Sequence, residues 1–110
     1  MTYQGALELL NGRSSRKIGN NTYIRKSDLT GWIEIVLHTT AIVSLYPDGK
    51  VVLRSGGWET LTTKDRLNKY APVKIQQRKH VWFVQTTDGK EIPFENAMSF
   101  NANGTVWGVA

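Results

Sequence analysis

The sequence predicts a mainly β (α+β) fold: a twisted antiparallel meander or a small, partly open barrel of about six or seven strands with one short helix. Two segments carry the Asp-Gly-Lys signature of tight hairpins, at residues 48–50 and 88–90. Apolar residues also alternate with other residues from Ile33 to Leu37, the two-residue period of a strand. No segment has the long crossover helices that a parallel sheet requires.

The first third of the chain predicts one or two helical turns, for which a strand is the alternative, followed by an exposed hairpin. Leu7 and Leu10 are spaced for one face of one or two helical turns over residues 4–10, and Asn11-Gly12 is a stop signal. Residues 13–28 are polar and basic, with a turn signal at residues 19–21. This pattern is typical of a short hairpin at the surface.

The rest of the chain supplies the remaining strands. A strand begins at Trp32, and a hairpin joins residues 41–46 to 50–54 through Pro47-Asp48-Gly49. A second hairpin joins residues 80–85 to 90–94, and a closing strand is expected over 105–109. No Pro-, Ser- or Gly-rich linker interrupts this order, so residues 1–110 are expected to form a single domain.

One helix stands out between the two hairpins, over residues 62–70. Thr62 is expected to cap its N-terminus, with Asp65 as the reciprocal partner three residues later. Leu67 and Tyr70 share its inward face, and Pro72 is expected to end it. These features predict about two turns of helix.

The charge balance favours an anionic partner. Lys and Arg number 14 against 9 acidic residues, a formal net charge of +5, although a solvated basic surface without a partner gives the same count. Cations are interleaved with aromatic residues in two segments, an arrangement that can bind phosphates and stack on bases. The two sets are Arg13, Arg16, Lys17, Tyr23, Arg25 and Lys26, and later Lys74, Arg78, Lys79, His80 and Trp82.

The four tryptophans have a second interpretation. In a domain of this size, Trp32, Trp58, Trp82 and Trp107 are also expected in core or edge packing, and the sequence has no RNA-recognition signature. Four tryptophans and an open sheet edge are also compatible with a homo-oligomer formed by strand pairing.

A second candidate site follows the strand that ends near Arg54. Gly56-Gly57, Trp58 and the Thr62-Thr63-Lys64 helix start bring free backbone N–H groups and hydroxyls near a positive helix end, where an anion could bind. The spacing is not that of a P-loop. The favoured alternative is that the glycines permit a bulge that buries Trp58 in the core.

The sequence predicts no enzyme, metal site or cofactor. His38 and His80 are the only histidines, and no metal-binding or nucleophile motif accompanies them. His38 is expected at the outward end of a strand near Thr39 and Thr40, as a structural histidine in preference to a general base. Asp48, Asp88 and Asp65 are assigned to turns and a cap, and the glutamates show no pairing typical of a hydrolase.

Neither a membrane span nor disulfide chemistry is expected. No apolar run reaches the roughly 18 residues that cross a bilayer, and Met1 to Leu10 lacks the basic start of a signal peptide, so a soluble, unprocessed chain is expected. Cysteine is absent, which suits a reducing compartment.

Several motifs resemble a family of small proteins encoded by tailed bacteriophages. They are Tyr46-Pro47-Asp48-Gly49 through Leu53, Ser55-Gly56-Gly57-Trp58, Thr60, Thr62-Thr63-Lys64, Arg66 and Asn68, with Gly19-Asn20-Asn21-Thr22 and Leu37-His38-Thr39-Thr40. The resemblance covers residues 12–71, and beyond them Phe94-Glu95-Asn96-Ala97-Met98 is similar. It implies a phage protein that works in the host bacterial cytoplasm, and it names no enzyme or ligand.

Together these observations predict a non-enzymatic phage accessory protein that binds an anionic partner, with nucleic acid as the first choice. A protein-binding inhibitor of a host or bacterial defence enzyme is the alternative, followed by a minor virion component. The residues expected to bind nucleic acid or another anion are Arg13, Arg16, Lys17, Arg25, Lys26, Ser55, Gly56, Gly57, Trp58, Thr62, Thr63, Lys64 and Arg66.

Overall fold

The structure, a computed structural model, describes residues 1–108, which form two helices and nine strands. In chain order they are α1 (Tyr3–Leu10), β1 (Ser15–Gly19), β2 (Thr22–Lys26), β3 (Ile33–Leu37), β4 (Thr40–Leu45), β5 (Lys50–Leu53), α2 (Leu61–Tyr70), β6 (Lys74–Arg78), β7 (Val81–Gln85), β8 (Glu91–Pro93) and β9 (Met98–Asn101).

The strands form two antiparallel sheets. Five strands follow one another in the larger sheet, which has the order β1-β2-β3-β4-β5-β9, and β6-β7-β8 form the smaller sheet. Neither sheet closes into a barrel within residues 1–108. The predicted mainly β, antiparallel fold is therefore confirmed, with more strands than expected and with both candidate helices present.

One face of the larger sheet supplies the core. Ile24, Ile35, Val43 and Leu53 lie side by side across β2 to β5, and each is fully buried. Helix α1 lies against β2 and β3, whereas α2 packs on β3, β4 and β6. The smaller sheet contributes further buried residues to the same hydrophobic cluster, which also contains Phe100 of β9. Both helices thus cover one face of the larger sheet and leave its other face free of them.

The first helix ends as its sequence predicts. Asn11 adopts a left-handed conformation with φ 51°, and its backbone N–H donates to the carbonyl groups of Leu7 and Glu8. The hairpin that follows is less exposed than expected. Strand β1 is an exposed edge, but Thr22 and Ile24 of β2 are buried because their side chains lie on the core side of the sheet, whereas those of Tyr23 and Arg25 do not.

The cap predicted for the second helix is wrong by two residues. Helix α2 starts at Leu61, and Thr60 is the N-cap whose Oγ1 accepts a hydrogen bond from the Thr63 amide at 3.2 Å. Asp65 pairs with its neighbour Arg66 and not with the cap. The end is confirmed, since Ala71 is extended, as a residue before proline usually is.

Both Asp-Gly hairpins form as predicted. The amide of Tyr46 donates to the Lys50 carbonyl at 2.9 Å, and the amide of Thr86 makes the equivalent bond to Lys90 at 2.9 Å. The closing strand predicted over residues 105–109 does not form in its described part, where Val106 makes a single bridge to Phe100 and turns surround it. Val109 lies outside the described residues.

Candidate functional site

The helix-free side of the larger sheet, here called the outer face, gathers cations and aromatic rings. Because side chains alternate along each strand and paired residues point to the same side, the register identifies its members. The outer face contains Lys17, Tyr23, Arg25, Trp32, Glu34, Val36, Ser44, Tyr46, Lys50, Val52 and Arg54.

An aromatic pair occupies one end of the outer face. The ring centroids of Trp32 and Tyr46 are 4.2 Å apart at an interplanar angle of 34°. The Lys50 Nζ atom lies 5.4 Å from the centre of the Tyr46 ring, a cation–π contact. Trp32 remains 38% exposed, and Tyr23, nearer the other end of the face, is 41% exposed. The rings therefore keep surface available to a partner.

The charges of the outer face are predominantly positive. This face carries four cationic side chains, those of Lys17, Arg25, Lys50 and Arg54, and one carboxylate, that of Glu34. Of the four, Arg25 forms an ion pair with Glu34, with 3.0 Å between Nη2 and Oε1. Arg54 lies across the sheet and donates from Nη1 to the Ser44 hydroxyl at 3.1 Å. The face thus carries an excess of cations on a rigid backbone.

The predicted basic segment divides between two sides of the sheet. Lys17 and Arg25 lie on the outer face. Arg16 points the other way and donates from Nη1 to the Leu9 carbonyl at 2.8 Å, and Arg13 and Lys26 line a small cavity at the end of α1. The structure therefore brings only two of these five residues onto the aromatic face.

Alternation could have identified the outer-face residues that the prediction missed. Trp32 and Glu34 lie out of phase with Ile33, Ile35 and Leu37, so the two-residue period assigns them to one outward side. The same alternation in the next hairpin assigns three more side chains to the outward side, those of Tyr46, Lys50 and Arg54. What alternation does not indicate is which strands are neighbours, and hence that these side chains share one surface.

The later basic segment lies on the smaller sheet and contributes no second aromatic platform. Arg78 pairs with Glu91, which raises the pKa of the Arg78 guanidinium and lowers the pKa of the Glu91 carboxyl through hydrogen bonding. The same guanidinium stacks 4.5 Å from the centre of the Phe83 ring. Trp82 is buried, as the core interpretation predicts, and packs edge-on against Phe94 at 5.4 Å.

The glycine corner, residues 55–58, differs from both predictions made for it. Trp58 is 68% exposed, so the interpretation of a bulge that buries it in the core is wrong. The amides are not free for an anion either. Those of Ser55 and Gly56 donate to Asn96 Oδ1 at 2.8 and 3.2 Å, and that of Gly57 donates to the Ser55 hydroxyl. The corner is a turn fastened by a distant side chain.

Replacing Asn96 with alanine is expected to lower the free energy of unfolding by about 1–2 kcal/mol, because a partly buried amide loses its acceptor. Urea denaturation measures this loss. The Asn20→Ala variant is the matched control, because Asn20 is exposed in the turn between β1 and β2. Equal stabilities of the two variants would show that Asn96 does not fasten the corner.

A cavity of about 460 Å³ lies beside the glycine corner. Its walls come from the end of β3, the turn after it, the glycine corner and the first turn of α2. Of the residues predicted for this region, Ser55, Trp58, Thr62 and Thr63 line it. An adjoining cavity of about 510 Å³ includes Arg66, whose Nε donates to the Thr22 hydroxyl at 3.0 Å. Lys64 lines neither cavity within the described residues.

The histidines have different surroundings. His38 lies in the turn between β3 and β4, is exposed and lines both corner cavities, whereas His80 lies in the turn between β6 and β7. Residues 1–108 contain no group of three His, Asp or Glu side chains that could hold a metal ion. Among the same residues, neither helix is long and apolar enough to cross a membrane.

These features define a small β protein of two antiparallel sheets, with a basic aromatic face on one side and a cavity-bearing corner at the start of its second helix. The chain belongs to the Kyanoviridae Gp96 protein family, a phage protein family whose sequence model matches residues 3–101. The expectation of a phage protein is confirmed. No curated protein and no solved structure matches the chain.

Proposed function

We propose that this phage protein is a non-enzymatic accessory protein of the host bacterial cytoplasm that binds single-stranded nucleic acid on its outer face. One observation carries the proposal: Tyr23, Trp32 and Tyr46 share a single sheet surface with four cations. A single strand offers both phosphates for the cations and unpaired bases for the rings. The proposal refines the expectation of an anionic partner by assigning it to this face.

The dimensions of the outer face suit a short stretch of single strand. Trp32 and Val36 are four residues apart along β3, which separates the aromatic pair from the Tyr23 end by roughly 13 Å at the rise of a strand. Arg25 and Arg54 also lie on this face, and their guanidinium groups would contact the phosphates of a bound strand. A duplex would present its phosphates but not its bases to the rings, so single strands should bind better.

Salt titration tests the electrostatic part of the proposal. Fluorescence anisotropy with a labelled single-stranded DNA or RNA of mixed sequence should show binding at low salt. The logarithm of the binding constant should fall linearly with the logarithm of the salt concentration. Replacing Lys17, Arg25 and Lys50 with glutamine should reduce the magnitude of that slope by about 2, because each lost phosphate contact removes roughly 0.7.

The matched control removes the same charge elsewhere. Lys74, Lys79 and Lys90 are exposed on or beside the smaller sheet, and their replacement with glutamine lowers the net charge equally. This control should keep the slope of the wild type. Equal effects of the two triple variants would mean that net charge alone drives binding, and absence of any complex with single-stranded DNA or RNA at low salt would overturn the proposal.

One observation favours the alternative of a protein-binding inhibitor of a host or bacterial defence enzyme. Strand β1 pairs only with β2 among the described residues and is exposed, so its outer edge could accept a strand from another protein. The same edge could pair with a second copy of the chain. Recovery of a host protein with the tagged chain from infected cells, with no nucleic acid, would favour this alternative, and detection of the chain in purified particles would indicate a virion component.

A further inference from the structure

The two corner cavities adjoin, because His38 and Thr62 line both of them. They lie at the place where the β3–β4 turn meets the start of α2, which is away from the outer face. The first cavity has an apolar floor of Leu37 and Ile42 and no Lys, Arg, Asp or Glu side chain among its lining residues. Its ligand should therefore be uncharged and partly apolar.

Hydroxyl groups surround this apolar floor. Hydrogen bonds within residues 1–108 engage the hydroxyls of Ser55, Thr60 and Thr63 but leave those of Thr39, Thr40 and Thr62 for a ligand. A hydroxyl can donate or accept, so it can pair with either kind of group on the edge of a planar ring. This lining suits a flat heterocycle better than an aliphatic side chain.

Trp58 forms the rim of the first cavity and is unusually exposed for a tryptophan. Its side chain is 68% exposed, yet its backbone is held on both sides: its amide donates to Ser55 at 3.0 Å and its carbonyl accepts from Thr60 at 2.9 Å. Gly56 packs so closely that a Cβ there would lie 2.8 Å from the Thr40 methyl. The indole is thus presented from a fixed turn, as a stacking surface should be.

The second cavity is lined by Leu61 and by mostly polar residues, and the charges of Asp65 and Arg66 offset each other. Asn20 and Asn21 face Asp65 and Arg66, and the last two form an ion pair. Amide and carboxylate groups are suited to sugar hydroxyls, and a carboxylate that binds ribose is a familiar element of nucleoside recognition.

Two residues that line these cavities have a left-handed backbone, as four other non-glycine residues of the fold do. Asn21 and His38 have φ values of 51° and 55°, and the His38 amide donates to the Asn21 carbonyl at 2.8 Å. Non-glycine residues in this region are strained, and such residues cluster at functional sites. Glycine would adopt the His38 angles more easily than histidine does.

We propose that the two cavities bind one purine ribonucleoside, with the base against Trp58 in the first cavity and the ribose beside Asp65 and the asparagines in the second. The first cavity, whose lining has no Lys, Arg, Asp or Glu side chain, offers an apolar floor and an indole that suit a base better than a phosphate. A sugar alone would leave the apolar floor and the indole face uncovered. The inference is independent of strand binding, because neither cavity includes an outer-face residue.

The experiment titrates the full chain with adenosine and guanosine at up to millimolar concentration, observed by calorimetry and by the indole N–H signals in NMR. Adenosine or guanosine should shift the Trp58 signal, assigned through the Trp58→Phe variant. Trp58→Ala should weaken binding about ten-fold or more. Leu29→Ala is the matched control, because Leu29 is 98% exposed and lines neither cavity.

Two further variants separate recognition from folding. Asp65→Asn should weaken binding of adenosine more than binding of 2′-deoxyadenosine, because only the former offers the 2′-hydroxyl. His38→Gly should preserve or raise the urea midpoint of unfolding while weakening binding, which a merely structural histidine would not do. Failure of both nucleosides to bind the stable wild type, or equal binding to Trp58→Ala, would overturn the inference, as would binding of free monosaccharides with the same affinity.

Discussion

Replacing Trp32 and Tyr46 together with alanine is expected to weaken single-stranded oligonucleotide binding by about five- to 150-fold, because a base that loses its aromatic platform costs roughly 1–3 kcal/mol. The two rings lie 4.2 Å apart and act as one platform, so the double variant removes it completely. Anisotropy at fixed low salt measures the loss. The salt slope should change little, because the cations remain.

Two controls distinguish this effect from a loss of folding. Val81→Ala also removes an exposed apolar side chain, but on the smaller sheet and away from the outer face, and it should bind oligonucleotides like the wild type. Urea denaturation of the double variant should show a cooperative transition, because Trp32 is 38% exposed and lies outside the buried core. Unchanged affinity of a folded double variant would exclude the outer face as the binding surface.

Replacing Gly104 with alanine is expected to lower the free energy of unfolding by about 2–5 kcal/mol, a large share of the stability of a small domain. An added Cβ would lie 2.5 Å from the Thr87 Cγ2 atom and 2.7 Å from the Pro72 carbonyl oxygen. The backbone at φ 91° also disfavours any other residue. Chemical denaturation measures the loss.

Gly104 matters because it is placed where three parts of the chain meet. Its carbonyl accepts from the Thr87 amide at 3.2 Å, and its own amide donates to Asn101 at the end of β9. Thr87 belongs to the hairpin of the smaller sheet and Pro72 to the link that follows α2. An added methyl group would therefore push apart the larger sheet, the smaller sheet and that link.

The matched control for this substitution is Gly89→Ala. Gly89 has a similar φ of 87°, but an added Cβ there would meet no atom within 4 Å. It should cost only the roughly 1–2 kcal/mol of the left-handed conformation. The difference between the losses of unfolding free energy in the two variants measures the cost of the clash at Gly104. Equal losses would show that the three segments move apart at Gly104 without cost.

Local signals predicted most of the secondary structure. The Asp-Gly turns, the alternation in β3 and the proline after α2 act through neighbouring residues, and each formed as expected. The cap of α2 was misplaced because Thr60 and Thr62 are both suitable residues, whereas in the fold Thr60 is the cap and Thr63 is buried. Local patterns do not contain that tertiary information.

The candidate sites were predictable only in part. The excess of cations and the unusual corner are visible in the sequence, but Asn96 reaches the Ser55 amide from 41 residues away. That bond engages an amide that the local sequence suggested would be free. The exposure of Trp58 also has no local signal, since a glycine pair before a tryptophan is compatible with a buried or an open ring.

The sequence by itself determined the antiparallel β class, the hairpins, the helices and the positive charge, because these depend on residue type and short-range spacing. Tertiary structure alone decided that Lys17 and Arg25 face away from Arg13, Arg16 and Lys26, and that three aromatic residues from separate strands share a surface. The physical reason is that strand pairing selects each side chain's neighbours across the sheet, at distances in the chain that no local pattern encodes.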